Sequence, residues 1–292
     1  MPPRALALLI LLAILWSGSF TLTKVAVDTV PPATLVAARL VVGAAILWVY
    51  LRMIGGRLPP FGPAWGLYVL LALSGNVMPF ILIAWAQARV DSGLAAILIG
   101  TMPLITLVIA VLSGIEGRVR GLQIAGVCLG FVGVVVLFGP RIGDGVSGPV
   151  LAQLALVGGA TFYAINVVLA RRVVTDLVAV TAAVILLSAA FAVPISLIVD
   201  RPWQIAPDTA ATASIFALGV LGTALGTIIF FNLVRMVGAT RTSMINYLIP
   251  GMAVLWGMMF LGERPGWSEY SALALIVTAL ALVNRRPAAE KI

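Results

Sequence analysis

Uncharged polar residues and aromatic residues recur near the middle of long apolar stretches, a composition that could bind a small organic molecule. The set consists of Trp16, Ser19, Asn76, Phe80, Thr101, Tyr163, Asn166, Thr227, Asn246 and Tyr247. Amide and hydroxyl groups can hydrogen-bond an ammonium and a carboxylate, while aromatic rings stack on apolar groups and attract cations. The set therefore favours a zwitterion with an apolar or aromatic side chain.

The same residue types also have a purely structural use. Ser, Thr and Asn side chains hydrogen-bond one membrane helix to another, at about 0.6 kcal/mol for each bond. In the ligand interpretation three aromatic residues stack on the substrate, namely Trp16, Tyr163 and Tyr247. Three amides then hold its polar end, namely Asn76, Asn166 and Asn246. For any one residue, helix packing stays open as the alternative.

Two charged residues lie within the apolar stretches, Lys24 and Arg39. Both fall within about two helical turns of the end of a stretch, where long basic side chains can extend to lipid headgroups. The alternative is that one of them faces the mouth of a cavity and attracts a carboxylate. All acidic residues lie at the ends of stretches or between them, so the sequence predicts a membrane middle without formal charge. Transport without a coupled proton or sodium ion, as in a uniporter, would follow.

Two prolines, Pro103 and Pro250, stand in apolar stretches 147 positions apart, and a glutamate follows each at the same distance, Glu116 and Glu263. Proline removes an intrahelical hydrogen bond and bends the helix, which lipid tolerates only where protein or water meets the freed carbonyl. We expect both helices to bend in the interior, with the prolines as hinges. The same offset relates five further pairs: Trp16 and Tyr163, Ser19 and Asn166, Lys24 and Arg171, Gly75 and Gly222, Asn76 and Thr223. An internal duplication is therefore indicated.

Composition places the chain in the membrane. Of its 292 residues, 62% are hydrophobic and only 10% are charged, whereas soluble domains carry about a quarter charged residues. The chain has no His and one cysteine, Cys128, so a metal centre, a cofactor or catalysis is not expected. The net charge of +8 comes from basic residues scattered over loop ends, which indicates membrane topology rather than nucleic-acid binding.

Apolar runs bounded by charges and by Gly/Pro clusters predict an all-α integral membrane protein with ten transmembrane helices. The predicted spans are Ala5–Val27, Thr34–Ile54, Pro63–Gln87, Ser92–Ser113, Gly121–Gly139, Pro149–Ala170, Leu177–Ile198, Thr209–Val234, Thr242–Leu261 and Gly266–Asn284. The first span could instead be a cleavable signal peptide. Its uncharged run from Ala5 to Thr23 is long enough to cross about 30 Å of hydrocarbon, so we expect it to be retained.

Five spans fall in each half of the chain, residues 1–140 and 149–288, so the second half must enter the membrane from the opposite side. The repeat is therefore predicted to be inverted. A cytoplasmic N-terminus puts most basic residues on the cytoplasmic side and leaves fewer on the other, namely Lys24, Arg89, Arg141, Arg201 and Arg264. This bias predicts that both termini are cytoplasmic. Inverted repeats give a carrier two equivalent ways to open, one to each side.

Several short motifs together resemble the EamA-type carriers of the drug/metabolite transporter superfamily over nearly the whole chain. They are Trp16-Ser17-Gly18-Ser19-Phe20 followed by Lys24, the in-span Pro250, Leu261-Gly262-Glu263-Arg264, and the last apolar helix ending in Asn284-Arg285-Arg286. The resemblance implies a ten-helix inner-membrane carrier that exports amino acids or related metabolites, with helices 1, 3, 4, 6, 8 and 9 around a central cavity. Bacterial aromatic amino-acid exporters are the most similar members. The first half departs from the pattern at Ile115, where the second half has Gly262.

A multidrug carrier or a nucleotide-sugar-type carrier of the same fold is the alternative. A drug/proton antiporter calls for an embedded carboxylate and a phosphate-bearing substrate calls for a basic residue at mid-depth, and the apolar stretches predict neither. A membrane enzyme would call for a His/Asp or metal constellation. The expected partners are a small-molecule substrate and the lipid bilayer, and the carrier could be a monomer or a homodimer.

Overall fold

The computed structural model describes residues 1–114, 121–142, 148–173 and 176–284, and all regular structure within them is helical. The main helices are α1 (Pro3–Ala26), α2 (Pro32–Met53), α3 (Ala64–Gln87), α4 (Ser92–Leu112), α5 (Gly121–Ile142), α6 (Gly148–Ala170), α7 (Leu177–Val199), α8 (Thr209–Val237), α9 (Ile245–Leu261) and α10 (Trp267–Asn284). Each predicted span coincides with one of them to within a few residues. The motif residues Ile115, Glu116, Arg285 and Arg286 lie outside the described ranges.

Helix length and composition suit a bilayer. Eight helices, α1 to α8, are long and apolar enough to cross a membrane. The apolar helix α9 has 17 residues, about 26 Å at 1.5 Å per residue. Helices are the expected form because lipid offers no hydrogen bonds and each backbone group must find its partner within the segment. Large apolar side chains such as Ile10, Trp48 and Phe131 are exposed on the outside of the bundle, where lipid would cover them.

Local sequence sets several helix ends. Proline stands in the first turn of α1 and α2, at Pro3 and Pro32, where its missing N–H costs nothing. The Asp208 carboxylate accepts a hydrogen bond from the Ala211 N–H at 2.7 Å and caps α8. At the end of α9, Gly262 adopts a left-handed conformation with φ +65°. Glycine takes this conformation without strain, and the chain turns so that Glu263 points back toward α4.

Two helices widen near their midpoints. α3 contains a π-helical segment at Leu73–Val77 and α8 contains one at Leu218–Leu225. Short π segments change which side chains face inward and are frequent at functional sites. Asn76 and Thr223, which the offset of 147 relates, lie in these two segments.

The two in-span prolines differ in their surroundings. α4 is interrupted at Gly100 and Thr101, and its second part begins at Met102, one residue before Pro103. Pro250 instead lies inside α9, and the chain bends earlier, between the short helix Ala239–Thr242 and the start of α9. The Pro250 ring packs on Gly100, where an added Cβ would lie 2.9 Å from Pro250 Cγ. The proline of one half therefore contacts the interrupted helix of the other.

Helix packing follows a paired pattern. α5 packs along α10, and α2 packs along α7. α1 packs against α8 and α9, and α6 packs in the corresponding way against α3 and α4. One apolar cluster joins α2 and α7 to parts of α3 and α8, and a second joins α4, α5, α6 and α10. Both clusters contribute side chains to the cavity described below.

Contacts at the helix ends give the relative directions of α1, α3 and α6. Lys24, near the end of α1, donates hydrogen bonds to carbonyls at the end of α3, so these two helices run the same way. Leu169, near the end of α6, packs in a cluster with Trp65 and Tyr68, near the start of α3. α1 and α6 therefore run in opposite directions.

Candidate functional site

A cavity of about 680 Å³ lies in the centre of the bundle. This volume falls within the range of about 300–1,000 Å³ that is usual for small-molecule sites. All six helices that the family resemblance places around a cavity contribute to the lining, and α2 contributes as well through Leu35, Val36 and Arg39. The wall combines aromatic rings, amides, hydroxyls and a guanidinium.

Eleven of the fourteen residues singled out from the sequence line this cavity: Trp16, Ser19, Arg39, Asn76, Phe80, Pro103, Tyr163, Asn166, Thr227, Asn246 and Pro250. The other three residues of the fourteen, Thr101, Tyr247 and Lys24, lie elsewhere. The Thr101 hydroxyl donates to the Leu98 carbonyl at 2.6 Å, and the Tyr247 hydroxyl donates to the Leu280 carbonyl on α10 at 2.7 Å. Lys24 reaches the end of α3. Asn246 and Tyr247 separate because consecutive residues on a helix point about 100° apart.

Residues related by the offset of 147 make corresponding contacts across the cavity. Asn166 on α6 donates to the Leu71 carbonyl at 3.0 Å, and an added Cβ at Gly75 would lie 2.5 Å from its Nδ2. In the other half, an added Cβ at Gly222 would lie 2.6 Å from the Ser19 hydroxyl. The absence of a side chain at each glycine thus admits a polar residue from the opposite half.

Arg39 is one of two arginines that line the cavity, and it is the one in the middle of the bundle. Its side chain is only 9% exposed. The Nε–H donates to the Thr223 hydroxyl at 2.9 Å, and the guanidinium carbon lies 3.9 Å from the centre of the Phe80 ring. The Phe80 ring in turn meets Tyr163 edge-on, with centroids 6.5 Å apart. The guanidinium is therefore fixed from two sides, by a hydroxyl and by an aromatic face.

This position corrects the expectation of an uncharged membrane middle. The Arg39 backbone lies about 10 Å from the start of α2 at 1.5 Å per residue, but its side chain reaches Thr223, which lies midway along α8. The sequence did not reveal this because a long side chain can extend toward either headgroups or the interior. Position along the helix alone does not decide between them.

The polar groups of the wall divide into two kinds. Trp16 Nε1 donates to the Gly222 carbonyl at 3.1 Å, and Asn76 Nδ2 donates to the Ser188 hydroxyl at 3.1 Å, so these donors are used within the protein. Within the described part of the chain, the side chains of Tyr163, Thr227 and Asn246 make no hydrogen bond, although each lines the cavity. The second kind can hydrogen-bond a ligand without first breaking a protein contact.

Several lining residues were missing from the sequence-based set. Phe230 tilts against Trp16 with centroids 5.6 Å apart, and Thr106, Gln123 and Arg171 also line the cavity. Phe230 and Thr106 were overlooked because an aromatic or a threonine in an apolar helix is usual. None of the lining residues that the structure describes is acidic. Among the described residues, no group of three or more His, Cys, Asp or Glu could hold a metal ion.

One end of the bundle, which we name the capped end, is tied together by Lys24, Gln87, Ser92, Asp200 and Glu263. The Glu263 carboxylate accepts hydrogen bonds from the Ser92 N–H at 2.6 Å and the Gly93 N–H at 3.1 Å. It thereby joins the end of α9 to the start of α4, where an anion is favoured. Lys24 Nζ donates to the Gln87 carbonyl at 2.8 Å, and Asp200 accepts from the Thr34 N–H at 2.7 Å.

The opposite end, which we name the open end, is the end that the cavity reaches. Its lining residues Gln123, Arg171, Ser243 and Val283 lie at the corresponding ends of α5, α6, α9 and α10. Arg171 is exposed. A small molecule could therefore enter the cavity from this end, whereas the capped end is closed by side chains that bridge helix ends.

Known proteins share this fold and this sequence pattern. The model of the EamA-like transporter family matches residues 3–139 and again residues 150–285. One relative, the uncharacterized inner membrane transporter YedA of Escherichia coli strain K12, is 27% identical over 277 residues, covering 94% of this chain and 88% of the relative. A probable terminal-alkyne amino-acid exporter of Streptantibioticus cattleyicolor is 26% identical over 285 residues, covering 97% and 94%. One crystal structure superimposes with a TM-score of 0.65 at 22% identity, over 97% of this chain and 98% of the other.

Proposed function

The chain belongs to the EamA-like transporter family, and from this premise we propose that it exports amino acids, aromatic and other neutral ones first, through the central cavity. Its relatives include transporters of the bacterial inner membrane, and its apolar helices make it a multi-pass protein of that membrane. Family and relatives point to a transporter rather than an enzyme. The amino-acid substrate is the further step proposed here.

The observation that carries the proposal is the composition of the cavity wall. An amino acid presents a carboxylate, an ammonium and a side chain. Arg39 suits the carboxylate, the amide oxygens of Asn76, Asn166 and Asn246 suit the ammonium, and the rings of Trp16 and Tyr163 suit an apolar or aromatic side chain. The similarity to a probable amino-acid exporter adds support.

Alternating access is the proposed mechanism. Residues 1–140 and 149–288 would form two inverted repeats of five spans each, with both termini cytoplasmic. The opposite directions of α1 and α6, the paired packing of the helices and the two successive matches of the family model support this arrangement. The capped end would face the periplasm and the open end the cytoplasm, so that the substrate could enter the cavity from the cytoplasm.

Rocking of the two halves would open the capped end and close the open end, with the interrupted α4 and Pro250 of α9 at the contact that bends. The described part of the cavity wall offers no carboxylate that could carry a proton. Transport would therefore be uniport, driven by the amino-acid gradient itself.

Counterflow in proteoliposomes tests this function. Vesicles loaded with unlabelled phenylalanine should take up labelled phenylalanine transiently, with no requirement for a pH gradient. Unlabelled tryptophan and leucine should compete, whereas arginine should compete poorly because none of the described lining residues is acidic. Absence of counterflow for all twenty amino acids would contradict the substrate class, and accumulation driven by a pH gradient alone would contradict uniport.

A specific observation also favours a second candidate, a carrier for phosphate-bearing metabolites such as nucleotide sugars. Arg39 and Arg171 both line the cavity, and guanidinium groups bind phosphate well. Competition by UDP-glucose in the same counterflow experiment, without competition by amino acids, would establish this candidate instead. Competition by hydrophobic cations would point to a multidrug carrier.

A further inference from the structure

We propose that Arg39 binds the carboxylate of the transported molecule, and that a negative charge on the substrate is therefore a condition for its transport. This inference rests on the proposed function for the choice of carboxylate. The geometric basis is independent of it, because it concerns a cation whose hydrogen bonds the protein leaves incomplete.

A guanidinium group has five N–H donors in one plane. In the part of the chain that the structure describes, Arg39 uses one of them, the Nε–H that donates to Thr223 at 2.9 Å. The four donors on Nη1 and Nη2 have no protein acceptor there. Arg39 lines the cavity and keeps 9% of its surface exposed, so a ligand in the cavity can meet this residue.

Burying the Arg39 cation without a nearby anion costs free energy. A cation removed from water is normally balanced by an anion nearby. Among the described residues, no acidic side chain pairs with Arg39 and none lines the cavity. A Phe80 ring and one hydroxyl compensate only in part. The missing anion would be supplied by the substrate.

Geometry favours a planar anion. The Nε–H bond to Thr223 and the Phe80 face fix the plane of the guanidinium, and Arg39 lines the cavity. Two parallel N–H groups match the two oxygens of a carboxylate. Gly222 leaves room beside the guanidinium, since an added Cβ there would lie 3.5 Å from Nη2 and 2.6 Å from the Ser19 hydroxyl.

The other in-span cation is accounted for differently. Lys24 Nζ donates to the carbonyls of Gln87 at 2.8 Å and Val90 at 3.0 Å, and it does not line the cavity. The two residues look alike in the sequence, but Lys24 uses two of its three N–H donors within the protein, whereas Arg39 uses one of five. Only Arg39 fits the role of an anion site in the middle of the bundle.

The chain offers a matched control for Arg39. Arg89 also lies over an aromatic ring, with its guanidinium carbon 4.0 Å from the Trp85 centroid, and it also makes one short hydrogen bond, to the Trp85 carbonyl at 2.7 Å. Arg89 is exposed and lies outside the cavity. Arg89→Gln therefore removes the same charge and the same kind of stacking without touching the cavity wall.

The test is calorimetric binding of three probes to the purified full chain: phenylalanine, its amide without the carboxylate, and phenylpyruvate without the ammonium. Arg39→Gln should weaken the binding of both carboxylates by roughly 10- to 100-fold, while the amide should bind weakly and equally to both proteins. Arg39→Lys should restore part of the affinity, because it keeps the charge without the planar fork. Arg89→Gln should bind all three probes like the unaltered chain.

Three results would overturn the proposal: equal weakening of all three probes by Arg39→Gln, no weakening, or no carboxylate binding to the unaltered chain. Thermal unfolding of each variant checks that it is folded, and Thr223→Val, which frees Nε but keeps the cation, tests positioning separately. If the unaltered chain bound phenylpyruvate but not phenylalanine, and Arg39→Gln lost phenylpyruvate binding, Arg39 would still be an anion site. The amino-acid substrate would then be rejected. If Arg39→Gln left phenylalanine counterflow unchanged, the amino-acid substrate would stand and the role of Arg39 in binding its carboxylate would be rejected.

Discussion

The central cavity and the capped end contain the same kinds of polar side chain in the same apolar surroundings, but they use them differently. At the capped end, Glu263 accepts two hydrogen bonds from backbone N–H groups of α4, and Lys24 donates two to backbone carbonyls at the end of α3. In the cavity, Arg39, Tyr163 and Asn246 leave donors or acceptors without a protein partner among the described residues. A polar group that is satisfied by the protein holds helices together, whereas one that is left unsatisfied is available to a ligand.

The capped end is not satisfied completely. Gln87 Oε1 and the Ser92 hydroxyl are enclosed without a hydrogen-bond partner among the described residues, and each such group costs about 1–3 kcal/mol. A closure that carries this cost can open more easily than a fully bonded one. In the proposed mechanism the capped end would therefore serve as a gate, held by a few strong contacts.

Two neighbouring residues of α9, Asn246 and Tyr247, separate ligand binding from helix packing most clearly. Asn246→Ala removes a cavity amide that makes no hydrogen bond within the described structure, and we expect phenylalanine counterflow to fall about tenfold with thermal stability unchanged, since one ligand hydrogen bond is worth about 1 kcal/mol or more. Tyr247→Phe removes a bond to Leu280 and should lower the unfolding free energy by about 1 kcal/mol with transport per folded molecule unchanged. Equal losses of transport and stability in both variants would mean that the cavity residues serve packing alone.

A second experiment makes the capped end resemble the open end. Glu263→Ala removes the acceptor of the Ser92 and Gly93 N–H groups, a helix cap worth about 1–2 kcal/mol. In a Cys128→Ser background, a thiol placed at the enclosed cavity residue Thr23 should then react roughly tenfold faster with an impermeant reagent applied from the capped side.

Glu269→Ala is the matched control for that experiment. The Glu269 carboxylate also accepts from a backbone N–H, that of Gly266 at 2.9 Å, but it caps the start of its own helix α10. Its removal should leave labelling at position 23 unchanged. If both glutamate variants changed labelling equally, Glu263 would have no special role in closing this end.

A smaller effect is expected from Lys24→Met. The variant frees the carbonyls of Gln87 and Val90, which lie near the end of α3, where water can hydrogen-bond them. We expect labelling at position 23 to rise by only about two- to fivefold, because water replaces the lost donor and the two bonds together contribute only about 0.5–1 kcal/mol net. Arg172→Ala, an exposed residue after α6 at the open end, should have no effect. A Lys24→Met effect larger than that of Glu263→Ala would reverse the ranking of the two contacts.

Much of the fold could be predicted from the sequence, because its cause is the apolar run itself. Each predicted span coincides with a helix, since lipid leaves the backbone of a long apolar segment few alternatives. The polar residues in those runs were conspicuous for the same reason, and Asn76, Asn166 and Asn246 do line one cavity. What these residues bind stays a prediction.

The direction of individual side chains could not be predicted. Asn246 and Tyr247 differ by one position, and only the rotation of α9 decides that the first faces the cavity and the second faces α10. The π segments of α3 and α8 shift this rotation further within a helix. Arg39 was placed near the membrane surface for a related reason, since the length of its side chain allowed either depth.

Binding of amino acids in the cavity is tested most directly by measuring how far the ligand protects a cavity residue from chemical labelling. A single thiol at Thr106, a cavity residue whose own hydroxyl bonds only locally to the Met102 carbonyl, can be labelled from the open end in a Cys128→Ser background. Phenylalanine should slow this labelling in proportion to its occupancy, and phenylalaninamide should not. Labelling that is unchanged by saturating phenylalanine, or slowed equally by both compounds, would show that the cavity does not bind amino acids through their carboxylate.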